Sequence, residues 1–260
     1  MSLIITVNTN EGIVMGSDSR ISFSSLDTST LGFKTGHYFD TQEKTFLCPN
    51  GCGISTCGMA SINGKNISGY IKYFINTLIN KDTSVTEVAN KLKEYIENID
   101  KNIEVHFIVA GYLKVKRNEI IQAIYHIITG NNGLIERVHE NCSGALWDGE
   151  SEILTRLIKK LYFTSDPIEV NNLTLNIDNK SVNVGDAIIL RKDSSIMFND
   201  NDVLWDMMTL QDAIDFVRYA ITTTIETMRF SNVDKTVGGP IDILVITSNE
   251  SKWIAHKYLK

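Results

Sequence analysis

The stretch that decides the reading is the amino terminus, MSLIITVNTNEGIVMGSDSR, residues 1–20. A serine stands directly behind Met1, and an aspartate, Asp18, follows that serine by sixteen residues. Between them, residues 2–8 (SLIITVN) and 13–19 (IVMGSDS) read as strands joined by a TNEG turn, with Gly12 placed where a positive φ is cheap. A serine at the start of a mature chain is chemically self-sufficient. Its hydroxyl is a nucleophile, and its own α-amine, with an ordinary pKa of about 7.7–8.0, can take the proton near neutral pH. A lysine amine, at roughly 10.4, stays mostly protonated there. The arrangement requires removal of Met1, which a residue as small as serine favours.

Outward from this start, residues 20–43 are rich in Ser, Thr and Gly and read as a long loop. KTFLC, the turn PNG and CGISTCG then form a second hairpin. Two helices follow. Ile67, Ile71, Phe74, Ile75, Leu78 and Ile79 recur at helical spacing. Ser84 and Glu87 open the second helix as a capping box, with Val85, Val88, Leu92 and Ile96 on one face. Three strands are expected at 104–114, 119–128 and 133–139, a helix at 150–162, a helix at about 210–229, and two closing strands, PIDILVIT and KWIAHKYL. Runs of strands followed by runs of helices indicate layers rather than alternating βαβ units. The expected fold class is α+β, with two antiparallel sheets between helix layers. Residues 164–208 are polar, hold LTLNI and AIILR as short strands, and read as an insertion in a single 1–260 domain.

Composition narrows the function. The 260 residues are 43% hydrophobic, enough for a large core, and a net charge of −6 with dispersed acids argues against a nucleic-acid partner. No apolar run approaches a membrane span, and residues 1–7 lack the charged region and cleavage site of a leader, so the cytoplasm is expected. Cys48, Cys52, Cys57 and Cys142 fit reduced, buried thiols. Their spacing is not CxxC, Cys52 and Cys57 fall on opposite strand faces, and no histidine is near in sequence, so no metal or other cofactor is expected. His106 and His126 read as core or sheet-face residues. No Walker A, GxGxxG or GxSxG motif is present.

EGIVMGSDSR, KTFLCPNGCGISTCG, NCSGA and VGGPIDILVIT together resemble the proteasome β-subunit family of N-terminal nucleophile hydrolases. TMRFSNVDKTVGGPIDI is similar to the tail of the bacterial ancestral β-subunit group. The likeness covers residues 1–163 and 209–258. It implies a four-layer αββα sandwich and a peptidase that cleaves through an acyl-enzyme. Ser2 stands where the family usually carries threonine. The family lysine, counted fourteen residues back from Gly58, is Lys44, with Lys34 as the competitor by distance from the aspartate. By the same resemblance Asp18 orients the lysine, the Gly58 N–H is an oxyanion donor, Ser143 contacts the terminal amine, and Asp234 supports the network. Val237 stands where the family has serine, with Thr236 beside it. Ile21, Phe46, Thr56 and Ala60 would line the pocket for an apolar side chain of a peptide or unfolded-protein substrate.

The resemblance further implies a homo-oligomer, a ring or helical stack, and leaves an ATP-driven unfoldase as an open partner on which the sequence is silent. A non-catalytic scaffold of the same fold and an amidase for small molecules stay open beside the peptidase. So does a binding module that uses 164–208 as its contact surface.

Overall fold

We describe the chain from a computed structural model over residues 2–27, 32–115, 119–131, 133–140, 142–158, 160–162, 168–177, 180–189, 197–199 and 203–257. It divides into two compact units, Met1–Leu154 with Leu204–Lys260, and Thr155–Val203. The elements in order are β1 (Leu3–Thr9), β2 (Gly12–Ser17), β3 (Ile21–Asp27), β4 (Gly32–Phe39), β5 (Thr45–Leu47), β6 (Gly53–Gly58), β7 (Ser61–Ile62), β8 (Lys65–Asn66), α1 (Ile67–Leu78) and α2 (Val85–Ile99). There follow β9 (Val105–Lys114), β10 (Ile120–Ile128), β11 (Leu134–Val138), β12 (Gly144–Gly149), α3 (Glu152–Ile158), β13 (Lys160–Tyr162), β14 (Ile168–Ile177), β15 (Lys180–Ile189), β16 (Met197–Asn199), α4 (Leu210–Phe230), β17 (Asp242–Ile246) and β18 (Ser251–Ala255).

The larger unit is built on two five-stranded antiparallel sheets, ordered β12-β1-β2-β17-β18 and β11-β10-β9-β6-β5. Every residue of β1 and β2 is buried, which explains why LIITVNT and GIVMGS read as near-continuous rather than alternating apolar runs. Ile4, Ile13, Met15, Leu244 and Ile246 of the first sheet share one apolar cluster with Ile108, Ala110, Ile124 and Cys57 of the second. The second sheet has a further cluster with α1 and α2, where Phe74, Ile71, Val88, Leu92 and Ile96 are buried at the spacing the sequence predicts. Each of the larger side chains contributes about 1.5–3 kcal/mol of transfer free energy. On the first sheet α4 packs against β1, β2 and β17. A Cβ at Gly16 would sit 2.3 Å from Val217 Cγ1 of that helix, so the sheet carries no side chain there. Both long helices are closed by full capping boxes, Ser84 with Glu87 in α2 and Thr209 with Asp212 in α4.

Several expectations need correction. The stretch 20–43 is not a loop: β3 and β4 pair as an antiparallel hairpin from Ile21↔Phe39 to Asp27↔Gly32. Its Phe23 and Phe39 rings meet edge to face at 5.8 Å, a cross-strand contact that the Ser and Thr content hides. The NCSGA segment runs into a strand, β12, which had no place in the sequence reading, and the helix expected at 150–162 ends at Ile158 and is followed by β13. Gly12 is not at positive φ. It is needed because a Cβ there would lie 3.0 Å from the Ile246 carbonyl oxygen and 3.1 Å from Leu210 Cδ1. Cys48, Cys52 and Cys57 are buried, but Cys142 is exposed.

In the smaller unit, β13 pairs with β16, and β14 pairs with β15 as a hairpin with register shifts between Val170 and Thr174. The short strands expected at LTLNI and at AIILR fall in β14 and, up to Ile189, in β15. Arg191 lies outside the described residues. Among the described residues no helix is long and apolar enough to cross a membrane.

Candidate active site

The site grows from the end of β2. Asp18 follows the last residue of that strand, next to the start of β1, and its carboxylate is fully buried. Oδ1 accepts from the Leu3 N–H at 3.0 Å and from Lys44 Nζ at 2.7 Å. Oδ2 accepts from the N–H groups of Arg20 and Gly238, both at 3.0 Å. Four donors therefore meet one buried carboxylate, so both of its oxygens are satisfied away from water. Lys44 enters from the other sheet, one residue before β5, and its side chain is 4% exposed. It is Lys44 that the fold brings to Asp18. Lys34 lies in β4 opposite Ser25, and its side chain is outside the described residues.

Burial pushes the Lys44 ammonium below the ordinary lysine pKa, and the charge and hydrogen bond of Asp18 pull the other way without reversing it. The folded state therefore sheds this proton before the unfolded chain does. Stability linked to Lys44 is fully present above the unfolded lysine value, roughly 10.4, and is lost as pH falls through the lowered folded value. Urea unfolding followed across this alkaline range is expected to show ΔG rising with pH, and Lys44→Met to remove that rise.

The neighbouring residues of the SDSR motif tie this corner to the closing segment of the chain. Ser17 Oγ accepts from Thr45 Oγ1 at 2.8 Å, and Ser19 Oγ donates to the Pro240 carbonyl at 2.6 Å. Arg20 holds Asp40 through two nitrogens, at 2.6 and 2.8 Å, lies over the Tyr38 ring, and donates to the Lys235 carbonyl. A Cβ on Gly238 would sit 2.5 Å from the Arg20 guanidinium carbon, so the VGG glycine makes room for this arginine.

Ser2 is 8% exposed and lies just before β1. It lines a cleft with Lys44, Arg20, Ile21, Thr56, Gly58 and Ala60. The cleft encloses about 20 Å³, room for a water molecule, so a substrate side chain must open it further. Gly58 ends β6 exposed and at φ +90°, a conformation glycine adopts without cost. The Thr56 hydroxyl is buried and has no partner among the described residues. Phe46 is not on the cleft: it is 2% exposed and packs in the core between the second sheet and the helices, because alternation along β5 turns it away.

Two expected residues are not brought here. Ser143 precedes β12, whose far end, Gly149, is the one beside Leu3. Its N–H instead bonds Asp206 Oδ1 at 3.3 Å in a separate pocket with Asn8 and His139. The segment that does pass Ser2 is Gly149–Ser151, with the Glu150 N–H donating to the Ser2 carbonyl at 2.7 Å. The resemblance placed the serine one strand too early, since NCSGA opens β12 and GES closes it. Asp234 is exposed, and its carbonyl accepts from the Thr236 N–H. Thr236 is the buried residue, with Oγ1 donating to Glu150 Oε2 at 3.3 Å, while Val237 is packed 1% exposed.

A further group went unnoticed in the sequence. Asp148 of β12 receives both His106 of β9 and His126 of β10, beside Cys57 of β6. Nothing in their spacing shows this, because they come from four strands.

Two antiparallel sheets with helices packed on them make the fold α+β, with a hydroxyl residue just ahead of a buried strand beside a buried lysine–aspartate pair. Solved structures agree. The chain is similar to Anbu, the ancestral β-subunit, from Yersinia bercovieri, with a TM-score of 0.53 and 13% identity over 99% of this chain and 88% of that one. It is similar as well to a Gly-1 mutant of Anbu from Hyphomicrobium sp. strain MC1, with a TM-score of 0.54 and 11% identity over the same shares. No family model and no curated protein matches the sequence.

Proposed function

We propose that this chain is a proteasome-like peptidase of the N-terminal nucleophile type, folded as a four-layer αββα sandwich and using Ser2 once Met1 is removed. The observation that carries the reading is the buried Lys44–Asp18 pair, whose lysine lines a cleft with Ser2 and Gly58. In this mechanism the Ser2 hydroxyl attacks a peptide carbonyl and its own α-amine accepts the proton. The positive end of the Lys44–Asp18 pair lowers the cost of the developing alkoxide, and the Gly58 N–H faces the oxyanion. The amine then returns the proton to the leaving nitrogen, and water hydrolyses the ester. Ile21, Thr56 and Ala60 would meet the side chain on the acyl side of the cut bond. Peptides or unfolded proteins are the substrates on this reading. On this reading the working form is a homo-oligomer that shields the clefts.

A non-catalytic scaffold of the same fold is the second reading. It is favoured by Val237 in a packed position and by Ser143 and Asp234 lying away from Ser2. One experiment separates the two. The purified chain is treated with a peptidyl epoxyketone, which closes a ring onto a hydroxyl and its adjacent amine, and intact mass is recorded. The peptidase reading expects a chain lacking Met1 with one adduct, lost in Ser2→Ala. A chain lacking Met1 that stays unmodified overturns it in favour of the scaffold.

A further inference from the structure

Behind Ser2, four side chains of the kinds that ligate soft and borderline metals converge from four strands. The Cys57 sulfur, a His106 ring nitrogen and an Asp148 carboxylate oxygen all lie within 4.8 Å of one another. Asp148 Oδ2 is 2.8 Å from His106 Nδ1 and 2.6 Å from His126 Nε2, so two imidazoles point at a single oxygen. Cys57 is paired directly with His106 across β6 and β9. Their surroundings combine enclosure with a way in: Cys57 is 4% exposed, whereas the His106, His126 and Asp148 side chains are 24%, 17% and 18% exposed.

We propose that Cys57, His106, His126 and Asp148 bind a zinc ion that ties the two sheets together at the floor of the Ser2 cleft. One sulfur, two imidazole nitrogens and one carboxylate oxygen form a four-ligand set suited to tetrahedral zinc. Zinc bonds of about 2.0–2.3 Å put tetrahedral ligand atoms roughly 3.3–3.7 Å apart. The two Asp148–imidazole contacts then lengthen by less than about 1 Å, and His126, which stands outside the close Cys57–His106–Asp148 group, must also swing inward toward the ion. His106 would ligate through Nδ1 and keep its proton on Nε2, which already faces Glu104 Oε1 at 3.3 Å. That is the carboxylate–histidine–zinc arrangement that fixes the ring and raises its basicity.

Zinc binding would release the Cys57 thiol proton and the proton on His106 Nδ1.

Three ligands belong to the sheet of β6, β9 and β10, and the fourth to the sheet of β1 and β12. Asp148 is followed by Gly149, which abuts the Ser2 carbonyl, and Cys57 is followed by Gly58. With all four positions taken by protein, the ion has a structural role, holding Ser2 and Gly58 in place.

The test uses the full chain, stripped with a chelator and titrated with Co²⁺. The expected result is one equivalent bound with the visible bands of tetrahedral cobalt and a thiolate charge-transfer band, all displaced by Zn²⁺. Cys57→Ser should lose the charge-transfer band. His126→Gln, at a partly exposed position, should weaken binding at least tenfold, and Zn²⁺ should raise the Tm of the unaltered chain but not of this variant. Cys142→Ser and Cys48→Ser should keep every band. Absence of the bands in the unaltered chain, or their persistence in Cys57→Ser, overturns the proposal. The readout is optical and thermal, so it is independent of whether Ser2 reacts.

Discussion

Asp18→Ala is expected to cost roughly 3–5 kcal/mol of folding stability, the range for removing one partner of a buried ion pair. The reason lies in what is left behind. Lys44 loses its 2.7 Å partner and must either hold an unpaired buried ammonium or give up its proton, and the N–H groups of Leu3, Arg20 and Gly238 each lose an acceptor. Those donors come from the start of β1, the SDSR corner and the closing VGG segment, so the loss spreads over three parts of the chain. Urea unfolding at neutral pH measures the cost. The double variant Asp18→Asn, Lys44→Met removes both charges at similar volume and should recover part of it, since interacting residues are not additive. A single-variant cost under about 1 kcal/mol, the value of an exposed pair, would show that the pair is not buried as described.

Gly149→Ala is expected to displace Ser2 itself. Gly149 sits at φ +90°, and a Cβ there would lie 1.9 Å from the Ser2 carbonyl oxygen and 3.3 Å from Cys57 Cβ. The backbone conformation alone costs a non-glycine residue roughly 1–3 kcal/mol. The overlap adds to this, because the atom in the way is main chain and cannot rotate aside. The Ser2 carbonyl would have to leave the Glu150 N–H, and the Ser2 side chain would move with it. Urea unfolding should show a loss of about 3 kcal/mol, at the upper end of ordinary point substitutions. Amide exchange at Glu150 should rise. Unchanged stability and exchange would mean that Ser2 is not held against this turn.

Much of the fold was legible in the chain. The buried β1–β2 hairpin, the amphipathic stripes of α1, α2 and α4, and both sheet-forming halves follow from local periodicity and caps, which act over a few residues. The spacing of a family pattern pointed to Ser2, Asp18, Lys44 and Gly58, and the fold sets Lys44 against Asp18 and places Ser2, Lys44 and Gly58 on one cleft. The β3–β4 hairpin was not, because serine and threonine hide an extended pair whose stabilising contact, Phe23 on Phe39, spans sixteen residues.

By itself the sequence determined the β1–β2 hairpin, the helices α1, α2 and α4, and a serine just ahead of the first strand with an aspartate just after the second. Only the tertiary structure decided what meets that aspartate: Lys44 from the opposite sheet, Gly238 from the closing segment, and Gly149–Ser151 rather than Ser143 beside Ser2. It alone gathered Cys57, His106, His126 and Asp148. The physical reason is that local propensity is set by neighbours along the chain, whereas charge pairing and metal-type donor sets depend on strand order and register between sheets, which a one-residue slip would reverse.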